Sequence, residues 1–226
     1  LPSAKIITAV SQFTANLVSN ELGPGLEIRT IYNGIDEALF TPLKEKKIHN
    51  SKNIKVLIAG QISVKKGSQW VTGIFEKLSE NISVSYTTGR ASSRKHIPHS
   101  RLICLGSVPH SEMPSLYKEF DILLFPTVRE GFGLVAAEAM SCGLPVVATD
   151  CSSLPELVED GKGGYLCRLG DVDDFAEKIN LLADNPILRR EMGNYNRARV
   201  EEKFTVRRMI TEYKEIFEEA ASRPLI

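Results

Sequence analysis

Two glutamates, a lysine and a group of glycines are the residues here whose types and spacing suit chemistry. Glu130 is followed by Gly131 and Gly133, and Glu138 comes eight residues after Glu130. Glycines at 131 and 133 let a ligand approach the main chain closely. The amides that follow, near Leu134 and Val135, suit an anion, and a helix dipole would add to that attraction. One carboxylate at a loop and another about two helical turns further on suit a long ligand with a phosphate between two sets of hydroxyls. Upstream, GQISVKKG puts Lys66 in a second glycine-bearing loop, another phosphate contact by residue type. Spacing alone leaves a plainer reading open, in which Glu130 is exposed and Glu138 and Lys66 are solvated surface residues.

These residues need elements to hold them. Asp121–Pro126 is a short apolar run ending in proline and reads as a fully buried strand. Leu134–Cys142, rich in Ala, Leu, Glu and Met, reads as a helix, with Gly143 just past its end and Pro145 blocking continuation. Pro145–Thr149 is a second β-branched run. Strand, glycine loop, helix and strand make a βαβ unit, whose ligands bind beyond the carboxyl ends of the strands. Ile54–Ala59 leads into the lysine loop in the same way, and the helix Ser68–Ser79 follows it.

EGFGLVAAE followed by AMSCGLPVVATD resembles the Glu-x7-Glu signature of retaining, nucleotide-sugar-dependent glycosyltransferases of the GT-B architecture, family four. The resemblance runs from about Lys5 to about Arg223. It implies an α/β fold with a Rossmann-like parallel sheet flanked by helices, the C-terminal, donor-binding half of that architecture. TAVSQFTANLV…IYNGID is similar to the family's segment leading out of the acceptor domain. On that basis residues 1–50 are a linker and remnant, 51–204 the donor domain and 205–226 a crossover helix. The acceptor domain is then missing, and a chain opening on Leu1 is expected to be a fragment or processed product. A plain βαβ start to a single domain is the other reading of that segment.

The resemblance also implies roles. Lys66 and the main chain near Gly133 and Leu134 meet the charge on a leaving diphosphate, and Glu130 contacts sugar hydroxyls and favours an oxocarbenium-like transition state. Glu138 accepts from ribose hydroxyls, and Val108 lies against the base. Gly60, Gln61, Arg90, Gly131, Phe132 and Val135 complete the donor site. The family has an arginine where Gln61 stands. Charge-assisted bonds exceed neutral ones by roughly a kcal/mol, so Gln61 predicts a weaker diphosphate grip unless Arg129 or Arg90 compensates. No metal and no cofactor beyond the donor are expected. The partners implied are a nucleotide sugar and a hydroxyl acceptor, a sugar or lipid-linked sugar held by the missing domain, in glycan, polysaccharide or lipopolysaccharide synthesis. Location is expected in the cytoplasm or peripherally on the inner membrane face. The alternatives are an inactive nucleotide-sugar-binding module and a GT-B epimerase or phosphorylase.

Composition narrows the classes. Among 226 residues, Lys+Arg and Asp+Glu number 28 each, which argues against a nucleic-acid binder that relies on global charge. No apolar run is long enough to span a bilayer, and no signal peptide is expected. The four cysteines show no CxxC and read as reduced structural thiols. His96 and His99 lack a neighbouring acid or cysteine and read as surface residues. Asp171–Asp174 resembles the metal-binding Asp-x-Asp of other transferases, but it precedes a helix, where acids cap the N-terminus. Ser11 is expected to cap a helix over Gln12–Leu22, Ser111 one over Glu112–Phe120, and Asn33-Gly34 to close the strand Glu27–Tyr32. The last helix is expected to leave an apolar face of Met209, Ile210, Tyr213 and Phe217 partly exposed.

Overall fold

Every residue of the apolar runs Ile122–Phe125 and Val146–Thr149 is buried, the pattern of central strands in a sheet covered on both faces. The structure, a computed structural model, describes residues 6–23, 27–43, 53–61, 63–89 and 102–222. In chain order its elements are β1 (Ile7–Ala9), α1 (Gln12–Leu22), β2 (Ile28–Thr30), β3 (Ile54–Ile58), α2 (Ser68–Glu76), β4 (Ile82–Tyr86) and β5 (Leu102–Cys104). There follow α3 (Met113–Lys118), β6 (Ile122–Phe125), α4 (Leu134–Ser141), β7 (Val146–Thr149), α5 (Leu154–Leu157), β8 (Gly164–Cys167), α6 (Val172–Asp184), α7 (Pro186–Lys203) and α8 (Val206–Ser222).

Six strands form one parallel sheet in the order β5-β4-β3-β6-β7-β8. Strand order reverses between β3 and β6, and in doubly wound sheets that switch point opens the ligand crevice. The loops leaving these two strands carry Lys66 and Glu130. Side chains alternate between two cores, as strand geometry demands. Leu57, Leu123, Phe125 and Val146 pack on one face with Ala136 and Met140 of α4 and Tyr117 of α3. Val56, Ile58, Ile122, Leu124 and Val147 pack on the other with Val71 and Phe75 of α2 and Phe175 and Ile179 of α6. Each fully buried aliphatic or aromatic side chain contributes about 1.5–3 kcal/mol.

A smaller unit precedes the sheet. β1 and β2 pair in parallel, in a sheet of their own, with α1 between them. Ser11 caps α1 as expected, accepting from the Thr14 amide, and Asp171 does the same for α6 through the Asp174 amide. At the other terminus α8 leaves Ile210 58% and Phe217 68% exposed, with the Phe217 ring stacked on Tyr213 at 6.1 Å between centroids. Met209 is partly exposed, its sulfur accepting from the Gly34 amide at 3.2 Å.

Two expected signals have other causes. Asn33-Gly34 forms no turn: Gly34 lies against α8, where a Cβ would come within 2.4 Å of the Val206 Cα. Close approach of two backbones, not chain reversal, selects this glycine. Ser111 caps nothing, because it sits within a 3-10 turn over His110–Glu112 that leads directly into α3. The strands are also a residue or two shorter than their apolar runs, since hydrogen-bond pairing stops before the apolar residues do. His96, His99, Arg101 and most of the Lys44–Asn53 loop lie outside the described residues.

Candidate donor site at the switch point

The β3–α2 and β6–α4 loops are bound to each other. The Val128 amide donates to the Lys65 carbonyl at 2.9 Å, and the fully buried Thr127 hydroxyl lies 3.1 Å from the same oxygen. A 3-10 turn over Val64–Lys66 ends at Gly67, whose φ is +76°. A Cβ there would sit 1.8 Å from the Pro126 carbonyl oxygen, so only glycine lets this loop seat on the end of β6. Lys66 is thereby aimed across the crevice. Its Nζ is ion-paired with Glu130 Oε1 and lies 5.1 Å from the centroid of the Phe125 ring. Thr127 Oγ1 is 2.9 Å from that same carboxylate oxygen, so its one proton has two acceptors within reach. The Glu130 side chain is 13% exposed and that of Lys66 28%, so neither is the solvated residue that spacing alone allowed.

Beyond Glu130 the loop is held by its main chain. Ser153 donates to the Glu130 carbonyl at 3.3 Å, and Thr14 of α1 donates to the Gly131 carbonyl at 3.3 Å. Gly133, with φ +99°, caps α4 without a side-chain bond, which leaves the start of that helix open to an anion by chemistry. Cys151 borders the loop, its sulfur 3.5 Å from the Thr127 carbonyl. Burial, with a smaller contribution from Glu130, pushes its thiol pKa up and keeps it protonated.

Glu138 occupies a separate cluster on α4. Although it is a helix glutamate, it is only 8% exposed. Its Oε2 accepts from the buried Tyr117 hydroxyl at 3.0 Å, and its Oε1 lies 3.0 Å from His110 Nε2. The His110 ring rests 5.5 Å from that of Phe40. Tyr117 has its pKa pushed well above the ordinary range by burial and then by the Glu138 carboxylate. The phenol is therefore a fixed donor. Each carboxylate oxygen keeps a second lone pair for a further donor.

The structure thus brings Lys66, Glu130, Gly131 and Gly133 together, with Gly60 at the end of the neighbouring β3. The Gly60 amide donates to Thr87 at 2.8 Å. Val135 and Val108 are half-buried against the same core as Tyr117. Leu134 is exposed at the helix start. Phe132 instead turns its ring into an aromatic cluster, 5.7 Å from Phe204 and 6.0 Å from Tyr32, so only its main chain faces the loop. Gln61 is exposed and lies along Gly89. Arg129 leans over the Phe13 ring of α1 at 5.9 Å, and Arg90 lies outside the described residues. No sequence pattern marks Thr127 or His110 as site residues. An aromatic hydroxyl on an otherwise apolar helix face is the one signal, and it points to Tyr117. Among the described residues no group of three or more His, Cys, Asp or Glu is arranged to hold a metal.

Residues 40–199 match the family model described as glycosyl transferases group 1. The chain is a member of that family. The N-acetyl-alpha-D-glucosaminyl L-malate synthase of Bacillus anthracis is 30% identical over 233 residues, an alignment covering 96% of this chain and 60% of the relative. This family member therefore spans about 60% of that relative's length. Among solved structures, the C-terminal domain of the group 1 protein LpcC from Francisella tularensis is 25% identical with a TM-score of 0.65, covering 76% of this chain and 100% of that one. HepE from Anabaena, in complex with UDP and glucose, is 22% identical with a TM-score of 0.83, covering 97% and 64%. At that identity the likeness establishes the fold, a Rossmann-like domain of the GT-B architecture.

Proposed function

We propose that this chain is the donor-binding part of a retaining glycosyltransferase that moves a sugar from a nucleoside diphosphate to a hydroxyl acceptor. One observation carries the reading. Within a group 1 family member, Lys66 and Glu130 meet at the switch point of the sheet, beside the glycine-capped start of α4. In this reading Lys66 and the amides near Gly133 and Leu134 offset charge building on the departing diphosphate. Glu130 receives the sugar hydroxyls and Glu138, fixed by Tyr117 and His110, receives those of the ribose. The departing phosphate takes the acceptor proton, so no separate base is invoked, and the cationic role falls to lysine and amides rather than a metal ion. UDP bound to HepE, and a Bacillus anthracis relative named for making N-acetyl-alpha-D-glucosaminyl L-malate, support a nucleotide-sugar donor and a hydroxyl acceptor. The capsular polysaccharide transferase CapM among the relatives supports glycan synthesis as the setting. The acceptor is assigned to sequence outside this chain, so the chain alone is expected to bind donor and transfer poorly.

A thermal-shift panel of UDP-, GDP- and ADP-sugars on wild type and Glu138→Ala tests the reading. A ligand at about 100 times its Kd stabilises by about 2.7 kcal/mol. One nucleotide should raise Tm by several degrees in wild type and fail to do so in the variant. No shift with any nucleotide contradicts the reading. A second reading, a module that binds donor without transferring sugar, is favoured by Gln61 in the place of an arginine. Turnover by a longer chain that includes the acceptor domain would exclude it.

A further inference from the structure

Lys66 is not available to an incoming anion in this structure. Its ammonium is ion-paired with Glu130, backed by the Phe125 ring, and both side chains are largely shielded from water. At such a place a charge pair is stronger than at an open surface. Thr127, whose one proton reaches either acceptor, lies 2.9 Å from the same carboxylate oxygen and 3.1 Å from the Lys65 carbonyl. The cation of the site is therefore already neutralised before any ligand arrives.

That arrangement treats two ligands differently. A free nucleoside diphosphate that engages Lys66 has to break the ion pair. It then leaves the Glu130 carboxylate without its cation, near phosphate oxygens. An intact nucleotide sugar breaks the same pair but brings hydroxyls that donate to Glu130 as Lys66 turns to the phosphate. Resting on the donor-site reading above, we infer that Glu130 is a specificity-determining residue. It competes with the diphosphate for Lys66 and so biases the site toward sugar-loaded nucleotide over the bare nucleoside diphosphate. The same competition acts after transfer: once the sugar has left, Glu130 recaptures Lys66 and loosens the product. No bond is made or broken in this device, and no proton moves.

The test is calorimetric titration with UDP, GDP and ADP at one fixed ionic strength. It uses wild type, Glu130→Gln, Lys66→Met and the double variant, with circular dichroism confirming that each folds. Glu130→Gln should bind the preferred diphosphate roughly fivefold more tightly, the upper end of what one partly exposed ion pair contributes. In the Lys66→Met background the same change should give a clearly smaller gain, because it relieves only repulsion between carboxylate and phosphate and no pair remains to be released. Glu130→Ala provides a second measure of the same gain. An equal gain in both backgrounds means that the carboxylate merely repels phosphate, and overturns the inference. Unchanged or weaker binding by Glu130→Gln overturns it as well. Failure of wild type to bind any of the three diphosphates, alone or as the glucose conjugate, overturns the donor-site reading itself.

Discussion

Replacing Gly67 by alanine tests how Lys66 comes to face Glu130. Two penalties apply at this position. A residue with a Cβ in the left-handed region costs about 1–2 kcal/mol, and Gly67 has φ +76°. Its Cβ would also sit 1.8 Å from the Pro126 carbonyl oxygen, a backbone atom at the end of the central strand β6. Relieving that overlap means moving one loop off the other, at a further cost of about 1–3 kcal/mol, as for overpacked cores. Together these predict a loss of about 2–5 kcal/mol, or roughly 4–20 °C in Tm for a chain of this size. The assay is urea unfolding of wild type, Gly67→Ala and Gly67→Asn. Asparagine tolerates the left-handed region better but keeps the Cβ, so it isolates the overlap and should still lose about 1–3 kcal/mol. A loss below about 1 kcal/mol for alanine, or wild-type stability for asparagine, would show that the two loops are not seated as described.

Tyr117→Phe removes the buried donor to Glu138 and should cost about 1.5–3 kcal/mol, the worth of a hydrogen bond to a charged group; denaturant midpoints give the answer, and a loss under about 0.5 kcal/mol contradicts it. Glu156 of α5 accepts from the amides of both Gln12 and Phe13 at 2.8 Å, an N-terminal clasp on α1 supplied from far along the chain. Glu156→Gln should therefore raise amide exchange at the start of α1 well before it affects the sheet, whereas unchanged exchange there would remove the clasp from the account. Burial pushes the Cys167 thiol pKa up. The native state thus holds that proton to higher pH than the unfolded chain, whose thiol titrates near about 8.5. Its contribution is complete below that pH and is lost as pH rises, by about 1.4 kcal/mol per pH unit. Stability should fall between pH 9 and 10.5, and Cys167→Ala should flatten the slope; an identical slope would refute the assignment.

Local signals were the ones that could be read from the sequence. The βαβ unit around Glu130 follows from apolar runs, glycine and proline, because each acts within a few residues. Ser11 and Asp171 mark helix starts for the same reason. Asn33-Gly34 misled because a glycine selected by a distant helix looks identical to one selected by a turn. What no local pattern contains is pairing across the chain: Lys66 with Glu130, Glu138 with Tyr117 and His110, Glu156 with the start of α1. Seven residues between two glutamates place them on one helix and its leading loop. Their burial, and the separate partners each has, follow from sheet order, which brings the loops of β3 and β6 together.

The most direct measurement is a crystal structure of the chain with the nucleotide sugar that stabilises it. The diphosphate should lie within hydrogen-bond reach of Lys66 Nζ and the amides at the start of α4. Ribose hydroxyls should sit on Glu138, and the Glu130 carboxylate should have turned from the lysine to the sugar. A ligand bound elsewhere, or one bound here with the Lys66–Glu130 pair still closed, would contradict this arrangement.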